Sequence, residues 1–457
     1  MSDQYQSCKQ TKRLSTSGQG KMSWWHLSLL GTGCTIGTGY FLGSAIGIRY
    51  AGPSIVLSFI LAALGTYTVY NLLGKMTAED PQEGSFCYYA AKAFGKWAGF
   101  SCGWNYWCSN ILIMGSQLTA LSILSQFWFP HIPLWMFASG YAVLSLLIVF
   151  LGTESFDRAE NIFALIKTAA IIMFIIVALL AITGTIEGSG QVPHFSFSLE
   201  HSMPEGLKGF WSSLIYAFYA YGGIEVIGLM AMQLKDKKDA PKSGNIMLLV
   251  LTIIYSLSLV LAVVLTAHEA FNDKESPFVS ALSLYNLPFF PHVFNGAIII
   301  AGFSALTASL FGVTNLLVTL SKDGDAPKIF QKKWKAHKDL PLPSLALATL
   351  GLVASVITAL LLPGKVFEYI TTAAGILLLY NWAFIIISAF KVLRLRIWGK
   401  ILGITGLLLL SLAVTGTLLE PEVRYGFFLS LLLVSAIAVV AYYLNRKWKR
   451  DDPFLHS

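Results

Sequence analysis

Residues 31–43, GTGCTIGTGYFLG, place five glycines and three threonines between apolar flanks that are typical of a helix crossing a bilayer. Glycine tolerates non-helical backbone angles and lowers helix stability, so the run predicts helix on both sides of residues 33–39 and unwound backbone within them. Unwound backbone at membrane depth occurs only where it is buried in protein or lines a polar cavity. The run therefore indicates a binding segment, with the alternative that the glycines only allow close helix packing.

The composition of the whole chain is that of a membrane protein. Of its 457 residues 55% are hydrophobic and only 12% are charged, and the mean hydropathy is +0.64. A helical span needs roughly 20 mostly apolar residues. The sequence predicts an all-α membrane protein with twelve such spans, at about 24–48, 53–74, 97–127, 133–151, 160–183, 208–233, 245–267, 293–319, 344–362, 367–390, 401–418 and 425–444.

The basic residues predict the orientation of these spans, because Lys and Arg accumulate on the cytoplasmic side. With both termini inside, only five of the 32 basic residues fall in outer loops and one, Lys167, falls in the membrane. We therefore expect a plasma-membrane protein with cytosolic tails at 1–23 and 446–457 around a transporter domain at 24–445. The net charge of +8 reflects this inner bias and implies no nucleic-acid partner.

Several classes of function have no counterpart in the residue pattern. Neither G-x-G in the glycine run has the third glycine of a dinucleotide site, and no Gly-Lys-Ser/Thr of a P-loop follows. The five cysteines have no His partners at metal-ligand spacing and predict neither a disulfide framework nor a metal site. Without a catalytic triad or carboxylate pair at one depth, we expect no enzyme and no cofactor.

A second interruption lies in predicted span 6, FWSSLIYAFYAYGGIEVIGLMAMQ, where Gly222 and Gly223 precede Glu225. Spans 1 and 6 are equivalent if spans 1–5 (24–183) and 6–10 (208–390) form two halves of a repeat. Paired discontinuous helices at equivalent positions indicate a transporter site near the bilayer midplane. We therefore predict a 5+5 inverted repeat with discontinuous helices 1 and 6, and two extra helices at 401–444.

The two breaks together fit an amino acid. The second half of span 1 would present free N–H groups and a positive dipole end near Thr38, Gly39 and Tyr40, which suits a carboxylate. Carbonyl groups around Tyr219–Gly222 suit an ammonium group. The hydroxyl of Thr35 and the backbone of Gly37 lie in the same unwound stretch.

Three side chains near the breaks have alternative interpretations. Lys167, about seven residues into span 5, either extends to the inner interface or is a buried cation that takes part in proton transfer. Glu225 either caps the second half of span 6 or acts as a gating group. Tyr219, beside the break, either packs or gates, whereas Glu368 near an outer end is expected to be solvated or interfacial.

Five motifs resemble the amino acid permeases of the amino acid, polyamine and organocation superfamily, most closely the bacterial amino acid transporter branch. They are TIGTGYFLG (35–43), PQEGSFCYYA leading into GFSCGWNYW (81–107), ALIK (164–167), YGGIEVIG (221–228) and SKDGDAPK (321–328). The resemblance implies the 5+5 fold and proton-coupled uptake of an amino acid, with Lys167 where sodium-coupled relatives hold a sodium ion. It also implies a substrate contact at Cys34, Thr38, Gly39, Gly222 and Ser109, and an aromatic gate at Tyr219.

These observations predict an amino acid:proton symporter that works by alternating access. Because Glu225 is the only acidic residue placed near the pocket, we expect a neutral substrate with a branched-chain or other apolar side chain. The alternatives are an amino acid exchanger, a nutrient receptor without net transport, and a channel. The oligomeric state is left open by the sequence.

Overall fold

The structure is a computed structural model, and it describes residues 22–82, 84–150, 153–188, 202–225, 228, 231, 234–266, 270–271, 275–332, 340–361 and 366–450. Apart from Met22 and Ser23, the predicted N-terminal tail lies outside the described residues. Residues 451–457 of the predicted C-terminal tail also lie outside them, whereas residues 446–450 belong to the last helix.

The described residues contain sixteen α-helices. In chain order they are α1 (Trp24–Thr35), α2 (Thr38–Phe41), α3 (Gly43–Ala51), α4 (Ile55–Glu79), α5 (Ser85–Phe94), α6 (Lys96–Ser125), α7 (Leu134–Phe150), α8 (Thr153–Ile182), α9 (Gly206–Ala220), α10 (Ala240–Leu265), α11 (Pro277–Leu282), α12 (Phe290–Lys322), α13 (Leu342–Leu361), α14 (Val366–Val392), α15 (Ile397–Gly416) and α16 (Pro421–Arg450).

The all-helical membrane architecture agrees with the sequence. Eight helical segments of the described residues are long and apolar enough to cross a membrane, and α7 and part of α13 are shorter apolar helices. Each of the twelve predicted spans overlaps a described helix. The count of twelve crossings and the inverted repeat stay predictions.

The short helix α5 ends just before α6 begins, within the sequence KAFGKWAGF. The N–H of Gly95 binds the carbonyl of Ala91 at 2.8 Å and ends α5. Gly95 has φ +93°, a left-handed conformation that glycine adopts without the steric cost of a Cβ. The chain thereby changes direction, and α6 begins at Lys96.

Helices α6 and α14 lie at the centre of the packing. Helix α6 packs along α12 and α14, and α14 also contacts α4, α9 and α16. In the most apolar stretch of α14, 72% of the residues are buried, whereas in that of α16 only 11% are buried. An apolar helix that stays exposed needs lipid as its solvent, which places α16 at the periphery of the bundle.

Both predicted interruptions are present as breaks in helical geometry. Helix α1 ends at Thr35, Gly37 has an extended backbone (φ −154°, ψ −167°), and α2 begins at Thr38. Helix α9 ends at Ala220, and Gly223 has φ +102° before helical geometry returns at Ile224. Most of predicted span 6 beyond Glu225 lies outside the described residues.

Candidate functional site

The two breaks lie against each other. A Cβ added to Gly223 would be 3.9 Å from the Oγ1 of Thr35, which ends α1. A Cβ added to Gly39 would be only 2.8 Å from Cδ1 of Tyr219, closer than side-chain atoms pack. Glycine at position 39 therefore lets the Tyr219 ring approach the backbone of α2.

The start of α2 presents backbone donors towards this junction. The N–H groups of Tyr40 and Phe41 both bind the Gly37 carbonyl at 3.1 Å. The preceding N–H groups, on Thr38 and Gly39, stand at the first turn, where an α-helix has no internal acceptors. Leu42 keeps right-handed helical angles between α2 and α3, so the segment from Thr38 onward has a positive end at the break.

The hydroxyl group of Thr38 is a further polar group at this end. Its side chain is 1% exposed, and among the described residues its Oγ1 has no hydrogen-bond partner. The Cγ2 of Thr38 would be 2.5 Å from a Cβ added to Gly302 on α12. Thr38 thus lies between the break and α12 with an unused hydroxyl group.

The end of α9 presents carbonyl groups, three of which already accept a hydrogen bond. Phe218 accepts from the N–H of Tyr221, Tyr219 from the N–H of Gly222, both at 3.0 Å, and Ala220 from the Tyr255 hydroxyl at 3.3 Å. Each carbonyl oxygen has a second lone pair. The end of α9 can therefore still accept from an ammonium group.

Tyr219 connects the broken helices to the central helices α6 and α14. Its side chain is 7% exposed, and its hydroxyl group lies close to Ser116 on α6. Ser116 in turn lies 2.6 Å from the Thr371 hydroxyl on α14. An aromatic ring in this position covers Gly39 and bridges three helices.

Glu225 is a cross-helix acceptor at the break. Its side chain is 2% exposed, and it accepts from the Tyr106 hydroxyl at 2.9 Å, from Trp382 Nε1 at 3.2 Å and from the N–H of Gly223 at 3.2 Å. The bond to Gly223 fits the capping interpretation, and the other two tie the break to α6 and α14. Sequence reasoning missed Tyr106 and Trp382, because nothing in their local pattern indicates a partner more than 100 residues away.

Lys167 is completely buried on α8. Its Nζ donates to the carbonyl of Gly33 on α1 at 3.3 Å, two residues before that helix ends. Gly33 itself permits close approach, since an added Cβ would be 2.6 Å from Cβ of Ala164. The ammonium group therefore points towards the broken helix rather than to an interface.

The remaining predicted residues differ in how they are engaged. Ser109 already donates to the Ala374 carbonyl at 3.0 Å, and Thr35 donates to Gly31 at 2.9 Å. Gly37 lies near Ala305, and a Cβ added to Gly222 would be 3.0 Å from Leu378. The side chain of Cys34 is not among those that the structure describes.

Glu368 corrects one expectation. Its side chain is 8% exposed rather than solvated, because hydroxyl groups of Tyr50 and Tyr216 donate to it at 2.6 and 3.2 Å. Arg49 lies 3.7 Å from Glu368 and 3.4 Å from Glu422. The first turn of α14 is thus joined to α3 and α9, a contact that sequence spacing does not reveal.

Comparison with known proteins gives one consistent family. An amino acid permease family model matches residues 26–454. The uncharacterized transporter YcgH of Bacillus subtilis is 50% identical over 434 residues, which cover 95% of this chain and 97% of that protein.

Two further relatives are named for the substrates that they transport. The aromatic amino acid transport protein AroP of Corynebacterium glutamicum is 30% identical over 443 residues, covering 91% of this chain and 94% of that protein. The D-serine/D-alanine/glycine transporter of Escherichia coli K12 is 29% identical over 369 residues, covering 79% and 78%. With its apolar helices and paired breaks, the chain belongs to the amino acid permease family of the amino acid, polyamine and organocation superfamily.

Proposed function

We propose that this protein is a secondary active transporter of the plasma membrane that imports a neutral amino acid together with a proton. It would do so by alternating access in a twelve-span, 5+5 arrangement with both termini in the cytosol. Membership of the family supports amino acid transport. The observation that carries the proton coupling is the buried Lys167 on the carbonyl of Gly33.

The substrate's backbone groups are assigned to the two breaks. Its carboxylate binds the N–H groups of Thr38 and Gly39 at the positive end of the helix, where anions are stabilised. Its ammonium group binds carbonyl oxygens between Tyr219 and Gly222. The Tyr219 ring beside Gly39 then covers the substrate on the outer side.

Lys167 couples a proton to the position of α1. The C-terminal end of a helix is negative, so a protonated lysine attracts the last carbonyls of α1. A charge-assisted hydrogen bond is roughly twice as strong as a neutral one. Loss of the proton therefore weakens the link between α8 and α1 and lets the broken helix change position.

Glu225 and Tyr219 act as gates on the two sides of the substrate. Glu225 holds the inner side through Tyr106 and Trp382. Tyr219 reaches α6 on the outer side through Ser116. A conformational change must break one set of contacts while it keeps the other, which is the requirement of alternating access.

The test is uptake of radiolabelled amino acids into proteoliposomes, with and without an inward proton gradient. We expect gradient-stimulated accumulation by the wild type. A Lys167→Ala variant should lose this stimulation and keep substrate exchange, whereas Lys75→Ala, which removes an exposed lysine of α4, should behave as the wild type does.

Two outcomes contradict the proposal. Uptake that needs vesicles preloaded with an amino acid identifies an exchanger instead. Unchanged pH dependence in Lys167→Ala removes this lysine from the coupling step.

A further inference from the structure

A second unpartnered polar group lies on α6, one turn before Leu121, which packs beside Thr38 at Gly302. Gln117 is 6% exposed, and its Oε1 has no hydrogen-bond partner among the described residues. A buried polar atom without a partner is unfavourable, and at a substrate site the substrate can supply the missing hydrogen bond. The proposed function uses Thr38 but leaves Gln117 without a role.

The direction of Gln117 follows from its neighbours on α6. Successive residues of an α-helix are about 100° apart. Ser116 meets Tyr219 and Thr371, whereas Leu121 lies against Gly302 at the point where Thr38 also packs. Around the axis of α6, Gln117 is about 100° from Ser116 and about 40° from Leu121. Its side chain therefore projects between the direction of Ser116 and that of Leu121.

Tyr106 gives an independent check of this direction. It is eleven residues before Gln117, which places the two side chains within about 20° of each other around α6. Tyr106 reaches Glu225 in the break that follows α9. Gln117 therefore faces the broken helices from a level near the Ser116 contact with Tyr219.

We propose that Gln117 is a specificity-determining residue, and that the imported amino acid has a hydrogen-bond donor, such as a hydroxyl group, on its neutral side chain. The amide oxygen accepts that donor. This inference rests on the proposed amino acid transport and replaces the apolar side chain expected from the sequence. A purely aliphatic side chain would leave Oε1 unsatisfied, which is how polar sites reject analogues without the matching group.

Two pairs of substrates separate the effect of the side-chain hydroxyl group from that of side-chain size. The pairs are threonine and valine, which are nearly isosteric, and serine and alanine. We expect the wild type to have at least a roughly tenfold higher kcat/KM for the hydroxylated member, the discrimination typical of one hydrogen bond. Gln117→Met keeps the length of the side chain and removes the acceptor, so it should bring both ratios close to one.

Gln126→Met is the matched control, because that amide donates to the Ile132 carbonyl at 2.8 Å near the end of α6. It should keep the wild-type ratios. The proposal is overturned if Gln117→Met also keeps them, or if the wild type prefers valine and alanine. Wild-type protein that transports no amino acid overturns the proposed function as well.

A binding measurement keeps the test independent of folding of the variant. In detergent, threonine should raise the midpoint of thermal unfolding of the wild type more than valine does at equal concentration, since the ligand with the lower Kd stabilises the folded state more. Equal shifts for the two amino acids, or a larger shift for valine, contradict the role of Gln117 whether or not the variant folds.

Discussion

At Gly39 a single missing side chain allows the Tyr219 ring to lie against backbone. We predict that Gly39→Ala lowers substrate affinity about tenfold or more, because the new Cβ would be 2.8 and 2.9 Å from two ring atoms. The KM for uptake in proteoliposomes measures the effect.

Gly43→Ala is the matched control, four residues along the same segment. An added Cβ there meets no atom within 4 Å, and alanine in a helix is more stable than glycine by about 0.5–1 kcal/mol. This variant should keep the wild-type KM and unfold at a slightly higher temperature. If both variants keep the wild-type KM, Gly39 does not position Tyr219 for binding.

The sequence predicts residues whose role depends on local backbone and misses those whose role depends on distant contacts. Glycine density predicted a break within 33–39 and one at Gly222 and Gly223, because conformational freedom is a property of the residue itself. The structure narrows the first break to 36–37, since Thr35 and Thr38 are still helical. Gln117 and Trp382 resemble ordinary helix residues in the sequence. Only the packing of α6 and α14 against the broken helices brings them towards the breaks.

Among the elements, the turn that follows α12 is hydrogen-bonded to α6 and carries a titratable carboxyl group. Asp325 follows α12, and its carbonyl accepts from Trp104 Nε1 at 3.0 Å. Burial raises the pKa of the Asp325 carboxyl to about 6, Lys96 opposes this shift, and Asp323 adds to it. Since the unfolded pKa is about 3.9, the folded state binds more protons between about pH 4 and 6, and stability falls as pH rises through this range.

We therefore predict that Asp325→Asn stabilises the protein at pH 7 by about 1–2 kcal/mol, and that the gain shrinks as pH falls from 7 to 5. The midpoint of thermal unfolding across this range measures it. Asp323→Asn removes a neighbouring like charge and should give a smaller change in the same direction. A pH-independent difference would exclude titration of Asp325 as the cause.

Helix positions were predictable because bilayer thickness fixes the length of an apolar segment. Helix α16 nevertheless runs to Arg450, beyond the predicted boundary at 445, since a helix can continue in polar residues once it leaves the hydrocarbon. Glu368 shows the same limit. Its position near a helix end suggested exposure, but Tyr50 and Tyr216 cover it.

On the scale of the whole molecule, the broken helices are tied to α14 at two levels. Trp382 of α14 meets Glu225 at one level, and Glu368 of α14 meets Tyr216 at the other. With the predicted orientation, the first level lies on the cytosolic side and the second on the outer side. Hydropathy and charge predict that orientation, but they carry no information on which spans touch.

This arrangement predicts opposite effects of the same substitution at the two levels. Tyr106→Phe removes a hydrogen bond to Glu225, and such a bond to a charged group contributes about 1.5–3 kcal/mol. The inner side should then open roughly tenfold more often. Cys102, one turn from Tyr106 and completely buried, should react correspondingly faster with a membrane-impermeant thiol reagent, as read by peptide mass spectrometry in inside-out vesicles.

Tyr216→Phe removes a bond to Glu368 at the outer level and favours the outward-open state. Cys102 should then react with the reagent as slowly as in the wild type, or more slowly. Equal acceleration in both variants would mean that the two levels open together, which is the behaviour of a channel rather than of an alternating-access transporter.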